Sequence, residues 1–187
     1  MSLRLLAADG TLAAWAPASP PKGFLAVDSK EAGPLAAARA RSAAAAAGGA
    51  LTFLGYEPIA APAGKADLRL AVGLSSGEGA VFSDELHYFC LKTHPRKPLV
   101  FSREGLSAAS AELGNLRASV RSLSGVSLEP SSRGVTGYLH RFREALSRDF
   151  DFPEALSCVW DGLRPGALSP GSKAALLRAA LPALGLE

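Results

Sequence analysis

Seven side chains in the second half of the chain have the types and spacing to hold phosphate. Lys92, His94, Arg96 and Lys97 crowd one short corner, and Arg103, Arg117 and Arg121 follow on a segment with helical periodicity. Lysine and arginine neutralise phosphate oxygens and release the counterions around them, so such a set gives sequence-independent affinity for nucleic acid. Pro95 and Pro98 stiffen the corner. From Lys92 to Arg148 the acidic residues are few, namely Glu104, Glu112, Glu129 and Glu144, which makes this the largest local charge imbalance in the chain. The same pattern also describes a solvated positive face that keeps an alanine-rich protein soluble.

Other reactive side chains have simpler readings. His87 and His94 lie two helical turns apart, but Pro95 argues against a continuous helix that would pair them on a metal, and His140 has no partner at ligand spacing. Asp149 and Asp151 resemble a carboxylate pair, while Asp151 two residues before Pro153 also fits a helix N-cap. Ser75-Ser76-Gly77-Glu78-Gly79 has the glycines of an anion cradle, yet its one charge is acidic, and a flexible loop is expected. Asp28 and Glu31 near a strand end are the acid–base candidates of the first half. Phe101, Phe142, Phe150, Phe152 and Trp160 are expected as core anchors. Cys90 and Cys158 sit in apolar patterns without a CxxC, as buried free thiols of a reducing compartment would. No Ser-His-Asp or Cys-His arrangement follows from spacing.

The elements that must position these groups are legible in turn. Leu3–Leu6 and Thr11–Trp15 flank Asp9-Gly10 as a hairpin, closed off by Pro17, Pro20 and Pro21. Gly23–Asp28 is a short apolar strand. Gly33-Pro34 opens a helix through Ala36–Ala47, with Arg39 and Arg41 on its flank; it either stops at Gly48-Gly49 or runs on toward Leu54. Tyr56–Ala60 reads as a second strand, which Pro58 confines to an edge, and Asp67–Leu74 as a third, after a linker at Pro62–Lys65. From Ser83 onward every periodic segment is helical: Asp84–Lys92 capped by Ser83, a longer helix capped by Ser102, Thr136–Arg148, Glu154–Leu163 behind Asp151 and Pro153, and a last helix begun by Ser169-Pro170 and ended by Pro182. Ser124–Arg133 is a turn-rich connector. The division expected is an α/β lobe over 1–80 and a helical bundle over 81–187.

The 187 residues suit one domain or a small domain plus a helical module. Hydrophobic residues reach 48%, enough for a core, although much of that is alanine and buries little area. The net charge of +3 is compatible with nucleic acid without requiring it. The start lacks the apolar run of a signal peptide, and no apolar segment reaches the ~20 residues of a membrane span. A cytoplasmic location is expected, with no membrane partner.

Four patches, in order, resemble cysteinyl-tRNA synthetases. Leu3–Pro17 (LRLLAADGTLAAWAP) is similar to the strand pair that precedes the family's nucleotide-binding fold. Ala38–Ser42 (ARARS) with Leu54–Glu57 (LGYE) is similar to the run around its first catalytic helix. Glu85–Leu106 (ELHYFCLKTHPRKPLVFSREGL) resembles the junction between the catalytic and helical domains. Arg141–Leu163 (RFREALSRDFDFPEALSCVWDGL) resembles a later helical hairpin, and Lys173–Leu186 the end of the same bundle. The resemblance implies an α/β remnant of a Rossmann-like catalytic domain followed by an all-α bundle of the kind that contacts tRNA.

The departures from that family bear on activity. Its HIGH tetrapeptide would stand where this chain has Gly33-Pro34-Leu35-Ala36 or Ala37-Ala38-Arg39-Ala40, without histidine. Its KMSKS loop would stand where Leu74–Gly79 carries only Glu78. The strand that should bear the first zinc thiolate reads Leu25-Ala26-Val27-Asp28-Ser29, and only ~25 residues separate Tyr56 from Ser83, too few for the segment with the other ligands. The domain that follows the bundle in full-length synthetases is expected to be missing as well, which puts anticodon reading in doubt. The expectation is a non-catalytic protein, with no cofactor and no metal, that keeps the bundle to bind tRNA or another structured RNA. The alternatives are a protein-interaction module that homodimerises through the α/β lobe, and a repurposed enzyme of unknown chemistry.

Overall fold

The computed structural model describes residues 3–6, 12–15, 22–29, 33–60, 66, 68–73, 75–76, 82–129 and 133–186. Arg4–Leu6 (β1) and Leu12–Ala14 (β2) pair antiparallel, Arg4 opposite Ala14 and Leu6 opposite Leu12. The expected Asp9-Gly10 turn, the prolines 17, 20 and 21, Glu31 and the linker 62–65 lie outside the described residues. Lys22–Ser29 (β3), Glu57–Ala60 (β4) and Leu68–Val72 (β5) form a parallel sheet in the order β4-β3-β5. Pro58 lies on an edge strand, as its missing N–H requires. In β5, Leu68, Leu70 and Val72 are buried and Ala71 is exposed, the alternation of a strand with one covered face.

Pro34–Leu54 (α1) crosses from β3 to β4 as one 21-residue helix. Pro34 stands in its first turn, and Gly55 in the left-handed region (φ 95°) ends it. The helix runs through Gly48-Gly49 because one glycine is needed there. A Cβ on Gly49 would lie 2.4 Å from the Pro182 carbonyl oxygen, so the close crossing of α1 over the last helix excludes any side chain. A Cβ on Gly48 would meet nothing within 4 Å.

The remaining helices are Asp84–Leu91 (α2), Arg103–Ser122 (α3), Arg133–Ser147 (α4), Phe152–Leu163 (α5) and Pro170–Ala183 (α6). The expected caps close their first turns: Ser83 accepts from the Leu86 N–H, Ser102 from Gly105, Asp151 from Glu154 and Ser169 from Ser172. The helices pack on one another and on α1, and α1 also packs on the sheet. The largest hydrophobic cluster therefore runs without interruption from Leu3, Trp15 and Leu70 through Ala46 and Leu51 to Tyr88, Phe142, Phe152 and Leu184. The Asp149 N–H donates to the Arg4 carbonyl at 2.6 Å, which docks the N-terminal hairpin onto the turn between α4 and α5.

Four expectations are corrected. The chain beyond Ser83 is not helix alone: Leu99–Val100 (β7) pairs in parallel with Ser75–Ser76 (β6), and the Phe101 N–H continues the ladder to the Ser76 carbonyl at 2.8 Å. Ser75 and Ser76 are thus held by strand pairing, not in a free loop; residues 77–81 lie outside the described set. Pro182 does not end α6 but stands inside its last turn, where its carbonyl accepts from the Gly185 N–H. Arg39 is not on the flank of α1: it is among the most buried side chains, 2% exposed.

Candidate functional site

The basic corner is built on Arg39. Its position on α1 shares a face with Leu35, Ala36, Ser42 and Ala43, all buried. The guanidinium donates to the carbonyls of Gly73 at 2.8 Å and Pro95 at 3.1 Å, reaches that of His94 at 3.4 Å, and bonds that of Lys97. The Gly73 N–H donates in turn to the Pro95 carbonyl at 2.8 Å. A Cβ at Gly73 would sit 2.3 Å from the Lys97 carbonyl oxygen, so glycine lets the end of β5 lie against the corner. The donors of arginine add to the backbone bonds of the corner, where the His94 carbonyl also accepts from the Lys97 N–H at 3.0 Å, and tie these carbonyls to α1.

The side chains of the corner divide. Arg96 is only 22% exposed and donates twice to the buried Asp149, at 2.7 and 2.8 Å. His94 Nδ1 accepts from the Arg96 N–H at 3.3 Å, and its Nε2 lies 3.8 Å from the same carboxylate. Burial holds the His94 pKa below the ordinary imidazole value, against the pull of Asp149 and Asp151 and with the push of Arg96 and Lys97. Lys92 ion-pairs with Glu112 at 2.6 Å. Glu112 also accepts from the Tyr88 hydroxyl at 3.3 Å, and Tyr88 accepts from Trp160 Nε1 at 2.9 Å, so Lys92 ends a polar chain across α5, α2 and α3. Burial pushes the Tyr88 hydroxyl up to about 12. Lys97 is exposed.

The three arginines of α3 line up. With 3.6 residues per turn, Arg103, Arg117 and Arg121 lie within about 40° of one azimuth, and Arg103 and Arg121 are about 27 Å apart along the axis. Ser107, Ser110 and Gly114 lie between them on the same face. Arg103 and Arg121 are exposed, and Arg117 bonds Asp84 at the start of α2. The structure therefore places the seven candidates in two groups. Arg103, Arg117 and Arg121 share one helix face, while at the corner Arg96 and His94 turn inward to Asp149, Lys92 turns to Glu112 and Lys97 is exposed.

A second buried knot joins α1, α2 and α6. His87 Nε2 lies 2.9 Å from the Leu184 carbonyl, and Ser42 Oγ lies 2.7 Å from Nδ1. A carbonyl only accepts, so the proton is on Nε2 and Ser42 donates to Nδ1. Burial lowers the His87 pKa, in keeping with a neutral ring. Both thiols are buried and free, and burial pushes each up to about 11. Asp28 is exposed at the end of β3. Among the described residues no group of three or more His, Cys, Asp or Glu could hold a metal ion, and no helix is long and apolar enough to cross a membrane.

A short parallel β–α–β unit continuous with five helices, carrying an arginine-lined helix face, defines the class of architecture. No family model matches the chain. It is 37% identical over 79 residues to the cysteine–tRNA ligase of Thioalkalivibrio sulfidiphilus, across 42% of this chain and 16% of that protein. It is 36% identical over 76 residues to the same enzyme of Chlorobium chlorochromatii, across 41% and 16%. To that of Methylococcus capsulatus it is 35% identical over 105 residues, across 54% and 22%. The chain is related to the cysteine–tRNA ligases, and these alignments span about a fifth of the relatives' length.

Proposed function

We propose that this protein is a non-catalytic relative of cysteine–tRNA ligases that binds tRNA, or another structured RNA, along the arginine face of α3. The observation that carries the reading is the alignment of Arg103, Arg117 and Arg121 on one face of a helix in a chain related to tRNA ligases. Small residues between them let phosphates approach the helix, and arginine matches phosphate geometry with two parallel donors. RNA met this way is recognised by shape and backbone charge. Lys97 extends the basic surface at the corner, Arg96 and His94 support it from within, and Lys92 joins it through the ion pair with Glu112.

The non-catalytic part of the reading rests on the first turn of α1. In the β3–α1–β4 unit, read as the remnant of a Rossmann-like fold, ATP phosphates would meet this helix start. Gly33 offers no side chain as N-cap, Pro34 removes an N–H that an anion would use, and no imidazole stands in the turn. The test uses the full chain with a tRNA transcript and, separately, cysteine-dependent exchange of pyrophosphate into ATP. The reading expects tRNA binding at low salt and no exchange. Exchange above background, or tRNA binding unchanged by Arg103→Glu with Arg121→Glu, would overturn it.

A further inference from the structure

The α3 helix carries an apolar seam that the other described residues only half cover. Leu106, Ala109, Leu113, Leu116, Val120 and Leu123 follow the alternating three-and-four spacing of a coiled-coil face. The first half of that seam packs on α2, where Ala109, Leu113 and Leu116 are buried. Toward its end the cover runs out: Val120 is 38% exposed, and Leu128 just beyond is 39% exposed. Across from it, Leu177 and Leu181 of α6 repeat the four-residue step. Between the two helices lie adjoining hollows of about 200 and 330 Å³ that share Val120 and Leu181 as walls. Arg117 and Arg121 rim the first, and Arg178 rims the second.

We propose that this groove docks an acidic amphipathic helix of a partner protein. The floor selects the shape of the occupant. Two walls with leucines at helical spacing leave room for a third helix whose apolar stripe follows the same period. The rim selects its charge. Among the described residues Asp84 is the one acidic side chain lining either hollow, and it is bonded to Arg117. Glu129, on the connector past the far end, is engaged with Ser169 at 2.5 Å and Ser172 at 3.3 Å. A second copy of this chain fits poorly, because a two-fold contact would bring Arg117, Arg121 and Arg178 toward their own counterparts. RNA fits the arginine rim but gains nothing from a floor of leucine and valine. The partner helix thus presents leucines inward and glutamates or aspartates along its flanks.

The probe is a fluorescein-labelled 18-residue peptide with leucines at three-and-four spacing and glutamate flanks, titrated by anisotropy into the full chain. Its controls are the same peptide with lysine flanks and a scrambled version. The expected result is saturable binding of the glutamate peptide, at least tenfold tighter than either control. Val120→Asp, on the groove floor, is expected to weaken it at least tenfold. Arg178→Glu is expected to shift preference toward the lysine-flanked peptide without changing tRNA affinity. Circular dichroism checks that both variants keep their helix content. Equal binding of glutamate and lysine peptides, binding no tighter than the scrambled sequence, or indifference of a folded Val120→Asp variant would each overturn the proposal. So would concentration-dependent dimerisation in sedimentation that Val120→Asp abolishes, since the groove would then belong to a second copy.

Discussion

At the scale of single residues, the fold depends on two arginines that serve opposite partners. Arg39 satisfies backbone carbonyls, and Arg96 neutralises a buried carboxylate. Replacing Arg96 by alanine strands Asp149, which is 4% exposed, and an uncompensated buried charge costs about 3–5 kcal/mol. The midpoint of urea denaturation is expected to fall accordingly, and Arg96→Ala with Asp149→Ala together is expected to recover part of the loss. An Arg96→Ala variant as stable as the parent would show the pair to be immaterial. His87 and His94 set an acid limit. Both have folded pKa values below the unfolded value of 6.5, so the unfolded state binds more protons as pH falls. Stability is present above about pH 6.5 and is lost below it. The thiols of Cys90 and Cys158, raised from 9.0 to about 11, set the alkaline limit, because the unfolded thiols ionise first. Thermal melting followed by circular dichroism is expected to show a plateau near pH 7–8.5 that falls on both sides, with the acid limb shallower in His87→Gln.

At the scale of elements, what was legible was local. Serines and an aspartate ahead of apolar runs marked four helix starts, because a cap needs only a side chain three residues from the N–H it accepts. Pro58 placed β4 on an edge for an equally local reason. Contacts between distant segments were not legible. Arg39 looked like a flank residue because a charge on an alanine-rich helix suggests solvent, although its spacing from Leu35, Ser42 and Ala43 puts it on the buried face. Asp149 and Arg96 are 53 residues apart, and Asp149 and Phe150 take left-handed backbone (φ 52° and 57°) that no neighbouring residue announces. The glycine pair of α1 offers a direct check. Gly49→Ala is expected to destabilise by about 1–3 kcal/mol through its clash with the α6 backbone. Gly48→Ala meets open space and is expected to stabilise by up to about 1 kcal/mol through helix propensity. The same sign for both variants in chemical denaturation would contradict the close crossing of α1 and α6.

At the scale of the molecule, the expected seam near residue 80 runs through one hydrophobic cluster that holds Trp15 and Tyr88 together. Trp15 reports on the first half of the chain and Trp160 on the second. Single-tryptophan variants Trp15→Phe and Trp160→Phe are expected to unfold with coincident midpoints by fluorescence and circular dichroism. Separate transitions would mean that the sheet and the bundle melt as independent units. The relation to cysteine–tRNA ligases was readable from the corner and the α4–α5 hairpin because those sequences are contiguous. Which of the basic residues face outward was not, because Asp149, Glu112 and Asp84 claim theirs from other elements.

The reading of this chain as an RNA-binding relative of a ligase is tested most directly by the salt dependence of its affinity for a tRNA transcript. The parent is expected to lose affinity linearly in log Kd against log salt, with a slope reflecting several neutralised phosphates, and Arg103→Glu with Arg121→Glu to reduce that slope by about two contacts. Affinity absent at 50 mM salt or below, or a slope the double variant leaves unchanged, would contradict the account.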